Sequence, residues 1–221
     1  MKRAIVLLSG GIDSTTLLYF AKRHENVDEL YALTFDYGQK HAREIEMALW
    51  QAQSARVTAH RVVKIGALGE LTGKMSALTG NGMAVPDLAA IKEADRSQPQ
   101  TYVPNRNMVL LALSAAYAET EGILDIYYGA QRQDKYGYWD CTGEFVAGMN
   151  EVFALNHREP VVVHAPFVDM RKSEVVKIGL ELGVDYSHTW TCYRGTDVPC
   201  GTCPSCVERI NAMREAGVKD I

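Results

Sequence analysis

No stretch of this 221-residue chain is both apolar and long enough to cross a bilayer, which takes about 20 residues. No signal-peptide pattern precedes its first apolar run. A cytoplasmic location and no membrane partner are therefore expected. Blocks of lysine and arginine are missing too, as is any basic–aromatic stripe, and the formal net charge is −4. Nucleic acid is accordingly not an expected partner. Repeats, linkers and low-complexity tracts are absent, so one domain over residues 1–221 is the natural count. No cysteine occurs before Cys141, and residues 2 and 3 are Lys2 and Arg3. A glutamine amidotransferase, whose nucleophilic cysteine often stands at the mature N-terminus, is not expected. Finally, the Lys–Ser/Thr ending of a Walker A loop is missing, which excludes a kinase-type P-loop.

What is present points to a different phosphate loop. Ala4 to Leu8 is a short apolar run that reads as a buried strand, and Leu17, Phe20, Ala21 and His24 fall on one face of a helix. Between them lies Leu8-Ser9-Gly10-Gly11-Ile12-Asp13-Ser14-Thr15-Thr16. A strand, a glycine turn and a helix start, with Asp13 and Ser14 at cap-like positions, make a phosphate cradle. Glycines let backbone N–H groups approach phosphate oxygens, the hydroxyls of Ser9, Ser14, Thr15 and Thr16 add donors, and the helix N-terminus adds positive potential. The plain alternative is an ordinary tight strand-to-helix turn.

Further along, strands and helices alternate. Glu29 to Tyr37 and Val57 to Val63 read as strands, with a helix between them that turns Ile45, Ala48, Leu49 and Ala52 inward. Such alternation predicts βαβ crossovers and a parallel sheet, whose ligands sit beyond the carboxyl ends of the strands. Asp36, in the turn Asp36-Tyr37-Gly38-Gln39, is placed there to meet the adenosine part of a nucleotide. Residues 66–101, broken by glycine and proline, read as a lid, a substrate loop or a surface insertion. Val103-Pro104-Asn105-Arg106-Asn107 opens an apolar helix, Met108 to Ala118, expected to lie buried. Asn105 and Arg106 at its mouth would be costly without partners, and Arg106 suits phosphate or carboxylate. Ile123 to Tyr128 is another strand. The polar and aromatic segment beyond it offers Gln131, Asp134, Tyr138 and Asp140 to a flat, hydrogen-bonding ring, although a plain polar loop would look the same. Cys141 reads as a small buried side chain. Helices over Phe145 to Leu155 and Lys172 to Leu182 flank a last strand, Val161 to Ala165.

Four of the five cysteines crowd the C-terminal region as Cys192-x7-Cys200-x2-Cys203-x2-Cys206. In a reducing compartment this spacing is a metal site more readily than a pair of disulfides. Four thiolates close a tetrahedron around one Zn²⁺ with no open position, so the expected role is structural. Iron–sulfur proteins share the Cys-x2-Cys-x2-Cys spacing and remain the alternative. Residues 189–221 form this zinc-binding subregion, in which Pro204 opens a helix.

The loop Ser9 to Ser14 resembles the SGGxDS loop of the PP-loop ATP pyrophosphatases, which cut ATP between its α and β phosphates. Over nearly its whole length the chain is similar to the 7-cyano-7-deazaguanine synthase family within that group. The likeness is carried by the loop, by Asp36-Tyr37-Gly38-Gln39 with His41, by Val103 to Asn107, by Tyr138-x-Asp140-Cys141 with Glu144-Phe145, by Thr189 to Tyr193, and by Cys200-Gly201-x-Cys203-x-x-Cys206-Val207-Glu208-Arg209. It implies a Rossmann-like parallel sheet with helices on both faces, one Zn²⁺ on the four cysteines, and a homodimer. It also implies use of ATP and Mg²⁺ to turn the carboxylate of a 7-deazapurine into a nitrile with ammonia, free or from a separate partner. Ser9, Asp13 and Ser14 would carry the catalysis, with Asp13 orienting the Mg²⁺ or the loop.

The chain also departs from that pattern. Where the family usually reads Tyr-Pro-Asp-Cys-Arg, this sequence has Tyr138-Trp139-Asp140-Cys141-Thr142, and Gln131 replaces a common histidine. Arg132 or Lys135 would have to stand in for the missing arginine. A different acceptor is thus an open alternative: another PP-loop adenylating enzyme, such as a tRNA thiolase or an amidoligase. A nucleotide sensor that binds ATP without cleaving it is the non-catalytic alternative.

Overall fold

In the computed structural model, residues 1–40, 43–79, 83–92, 98–132 and 137–219 are described. His41, Asp134 and Lys135 lie outside them. Five parallel strands, β1 (Arg3–Leu7), β2 (Glu29–Asp36), β3 (Ala59–Lys64), β4 (Asp125–Tyr127) and β5 (Val162–His164), form one sheet in the order β3-β2-β1-β4-β5. The helices are α1 (Ile12–Arg23), α2 (Arg43–Ser54), α3 (Gly66–Thr72), α4 (Arg106–Glu121), α5 (Gly143–Phe153), α6 (Lys172–Glu181) and α7 (Pro204–Glu215).

The central strand shows why the sheet is covered on both sides. Its residues Ala4, Ile5 and Val6 are fully buried, and alternate side chains enter different cores, as a pleated strand requires. Ile5 and Leu7 pack with Leu111 and Ala115 of α4 and Phe145 and Met149 of α5. Ala4 and Val6 pack with Leu17 and Leu18 of α1, Val175 and Val176 of α6, and Ala212 and Met213 of α7. The chain builds β2 and β3 on one side of β1, then crosses to build β4 and β5 on the other. The connections after β1 and β4 therefore diverge and leave a crevice at the strands' carboxyl ends.

Three local expectations need correction. Leu49 does not face inward: it is 44% exposed, and Gln51 takes the buried place beside Ala48 and Ala52. Gln51 is acceptable there because its Nε2 donates to the carbonyls of Asp185 (2.8 Å) and His188 (2.9 Å). The apolar helix α4 is buried along one side only, through Asn107, Leu111, Ser114, Ala115 and Ala118, while Met108 and Leu113 remain more than a third exposed. Asp13 and Ser14 are not caps. Gly11 is the N-cap of α1, and both residues sit in the first helical turn. Pro204 opens α7 as its sequence position predicts.

Candidate active site and metal centre

The glycine turn after β1 is shaped by two different demands. Gly10 has φ +84°, and a Cβ there would lie 2.1 Å from the Glu44 carbonyl oxygen and 2.7 Å from the Ala48 nitrogen. Its lack of a side chain lets α2 close on the loop. Gly11 begins α1, and the Ser14 Oγ accepts a hydrogen bond from the Ser9 nitrogen (3.1 Å) and lies 2.9 Å from Ser9 Oγ. Two hydroxyls are thus tied together at the mouth of a helix whose first N–H groups have no intrahelical partner.

A cavity of about 220 Å³ opens over this turn at the switch point of the sheet. Leu8, Ser9, Gly11, Ile12, Asp13 and Ser14 line one end, joined by Lys172 from the start of α6. Tyr37, Arg106, Asn107, Tyr128 and Cys141 line the other, and Trp190, Thr191 and Tyr193 form a side wall. Arg106 Nε donates to Asn107 Oδ1 (3.1 Å), and its guanidinium lies 5.8 Å from the centre of the Tyr37 ring. Cys141 is buried, with Asn107 Nδ2 and Tyr128 OH at 3.6 and 3.5 Å from its sulfur. A polyanion at the first end and a planar group at the second fit this distribution of donors and rings.

The other expected ligand residues stand elsewhere. Thr15 and Thr16 are completely buried behind the loop. Thr16 Oγ1 donates to the Ile12 carbonyl (2.9 Å) and shares a hydrogen bond with Tyr186 OH (2.7 Å), so it fastens α1 to the segment after α6. Asp36 Oδ1 accepts from the Gly38 nitrogen (3.4 Å). Asn105 is exposed in a left-handed conformation (φ 54°) just before α4. Gln131 is fully buried, and Tyr138 OH bonds to Thr101 Oγ1 (2.6 Å). Asp140 is buried next to Cys141. Burial raises its pKa, against the opposing pull of Arg106 and Asn107. None of these seven residues lies in the cavity wall.

Lys172 is a cavity residue that sequence reasoning missed. It is 5% exposed, with its Nζ 3.4 Å from Asp13 Oδ2 and 3.1 Å from Glu208 Oε2. The available signal was its position: a lysine opening a helix opposes the macrodipole and so needs a local reason. Asp13 has its pKa raised by burial, lowered by Lys172 and raised again by Glu208. Its Oδ1 is buried with no hydrogen-bond partner among the described residues, which fits a bound cation at that oxygen.

The four cysteines converge. One sulfur from each of Cys192, Cys200, Cys203 and Cys206 lies within 4.8 Å of the others. Tetrahedral thiolates around zinc stand about 3.8 Å apart, so the group fits one metal ion after slight contraction. The chain ties this centre to the cavity. Trp190 donates from its backbone to the Gly10 carbonyl (2.9 Å) and from Nε1 to the Cys192 carbonyl (3.0 Å), and Arg209 of α7 donates to Thr189 Oγ1 (2.7 Å) and the Tyr186 carbonyl (3.0 Å).

The fold and the glycine loop at its switch point place the chain in the PP-loop class of α/β proteins. Solved structures share the fold: NMN synthetase from Francisella tularensis (TM-score 0.52, 14% identity, 100% of this chain and 79% of that one) and the U34-tRNA thiolase NcsA from Methanococcus maripaludis with its 4Fe–4S cluster (TM-score 0.51, 16% identity, 97% and 67%). Sequence relatives are far nearer. The 7-cyano-7-deazaguanine synthase of Clostridium kluyveri is 45% identical over 100% of this chain and 96% of its own length. That of Archaeoglobus fulgidus is 46% identical over 99% and 88%. The profile of the family described as "Queuosine biosynthesis protein QueC" matches residues 3–217, and the chain belongs to that family.

Proposed function

We propose that this protein converts 7-carboxy-7-deazaguanine and ammonia to 7-cyano-7-deazaguanine at the expense of ATP, as a carbon–nitrogen ligase. The observation that carries the reading is the joining of two ends in one cavity, Ser9, Gly11, Ser14 and Lys172 opposite Tyr37, Arg106 and Asn107, in a chain that matches the synthases end to end. The substrate carboxylate attacks the α-phosphorus of ATP, and pyrophosphate leaves into the Ser9–Ser14 turn. Hydroxyls, helix N–H groups and the Lys172 ammonium oppose its charge there. Asp13 Oδ1 would hold the Mg²⁺ that neutralises the leaving group. Ammonia then displaces AMP, which departs with one carboxylate oxygen and leaves an amide. The amide oxygen attacks the α-phosphorus of a second ATP, which expels a second pyrophosphate, and loss of AMP and the two nitrogen-bound protons gives the nitrile. In this reading the protein is one cytoplasmic domain with a zinc-bearing subregion at residues 189–221. Zn²⁺ sits on Cys192, Cys200, Cys203 and Cys206, and ammonia arrives free or from a separate partner.

Incubation with ATP, Mg²⁺, ammonium and 7-carboxy-7-deazaguanine should yield amide and nitrile by mass spectrometry, together with AMP and pyrophosphate. ADP and orthophosphate as the nucleotide products, or an unchanged carboxylate, would refute it. Turnover of a tRNA base or another carboxylate instead would support a different adenylating enzyme.

A further inference from the structure

The charges beside the loop do not balance. One ammonium, Lys172, lies between two carboxylates, Asp13 at 3.4 Å and Glu208 at 3.1 Å, and the Lys172 side chain is almost wholly buried. Glu208 comes from α7, two residues after Cys206, and its side chain remains 38% exposed. Among the described residues, the carboxylates beside the loop therefore outnumber the ammonium groups where a polyanion has to bind. A phosphate oxygen that takes Lys172 as a partner must compete with Glu208 for the same three N–H donors. It must also sit near a carboxylate that loses its counter-charge when the ammonium turns to phosphate.

Resting on the reading that pyrophosphate is held in the Ser9–Ser14 turn, we propose that Glu208 is a positioning residue that governs product release. It is the partner to which Lys172 returns as pyrophosphate leaves, and its charge keeps pyrophosphate affinity low enough for departure. Asp13 is a poorer candidate for this part, because its Oδ1 is the group suited to a cation. Since Glu208 rides on the helix that begins at the cysteine centre, release is tied to the placement of α7.

The test is pyrophosphate binding to the full-length protein with Mg²⁺, by calorimetry and by product inhibition. Glu208→Gln keeps the size and an accepting oxygen but removes the charge. It should bind pyrophosphate about threefold to tenfold more tightly than the parent. Lys172→Met should lose at least about tenfold in affinity, and adding Glu208→Gln to it should recover part of that loss, because the repelling carboxylate is then removed as well. Damage to α7 would weaken binding, so tighter binding cannot come from misfolding. Unchanged or weaker binding by both Glu208→Gln and Glu208→Ala overturns the proposal. Failure of the parent protein to bind pyrophosphate at all is a separate result, and it removes the loop assignment together with this inference.

Discussion

Ser9, Gly10 and Asp13 stand within five residues of one another, yet the structure gives them unlike tasks. Ser9 presents a hydroxyl joined to that of Ser14 at the cavity mouth. If it stabilises the departing phosphates, Ser9→Ala should slow the cleavage of ATP to AMP and pyrophosphate about 100-fold while leaving the melting temperature near its parent value. An unchanged rate would count against the loop. Gly10 faces α2, not the cavity. A methyl group there meets backbone at 2.1 Å in a positive-φ conformation, so Gly10→Ala should cost about 2–4 kcal/mol in chemical denaturation. Asp13 has its folded-state pKa raised by burial. As pH climbs past the unfolded carboxyl value, the unfolded state ionises first, and stability falls until the folded group follows. Ionised Asp13 is thus a burden at neutral pH. Asp13→Asn should be at least as stable as the parent at pH 7, should show a flatter stability profile above about pH 4, and should lose activity. A variant that is both less stable and fully active would contradict this.

Among the elements, α7 links most of the site. It starts at the cysteine cluster, sends Glu208 to Lys172, and sends Arg209 to the Thr189 and Tyr186 carbonyl region. The segment before it, through Trp190 and Cys192, is hydrogen-bonded to Gly10. A metal there closes a loop of chain against both the sheet and the phosphate turn, so its binding energy is also folding energy for this corner. Metal analysis should return one zinc per chain. Cys203→Ser should lower metal content and melting temperature together, with a measurable loss of nucleotide affinity transmitted through Trp190. Full metal content in that variant, or a brown protein absorbing near ~400 nm, would point to other ligands or to an iron–sulfur cluster.

At the scale of the whole molecule, the sheet order makes the crevice. β1 has neighbours on both sides, and the chain changes direction across it, so the turns after β1 and β4 part above their carboxyl ends. Gly129 after β4 is nonetheless a neighbour of Ser14, a Cβ there lying at ordinary contact distance (3.4 Å) from the Ser14 nitrogen, and both turns border one cavity. No described helix is long and apolar enough to cross a membrane. The homodimer implied by the family resemblance is a prediction about the assembly: sedimentation equilibrium should give a particle of two 24.5 kDa chains, and a single-chain mass would exclude it.

Residue order alone was enough to place the strands, the glycine turn after β1 and the four metal-type cysteines. These rest on short-range patterns: an apolar run before glycines, helical periodicity, and cysteines two residues apart on either side of Cys203. What faces the cavity was a different matter. Thr15 and Thr16 are as polar as Ser14 but rotate behind the loop with the helical turn, and Asn105 is neighbour to Arg106 but points the chain outward. Lys172, Tyr37 and Asn107 reach the cavity from three separate elements, across separations of 65 to 135 residues. Side-chain direction and long-range convergence depend on how the helices dock on the sheet, and a linear pattern does not contain that information.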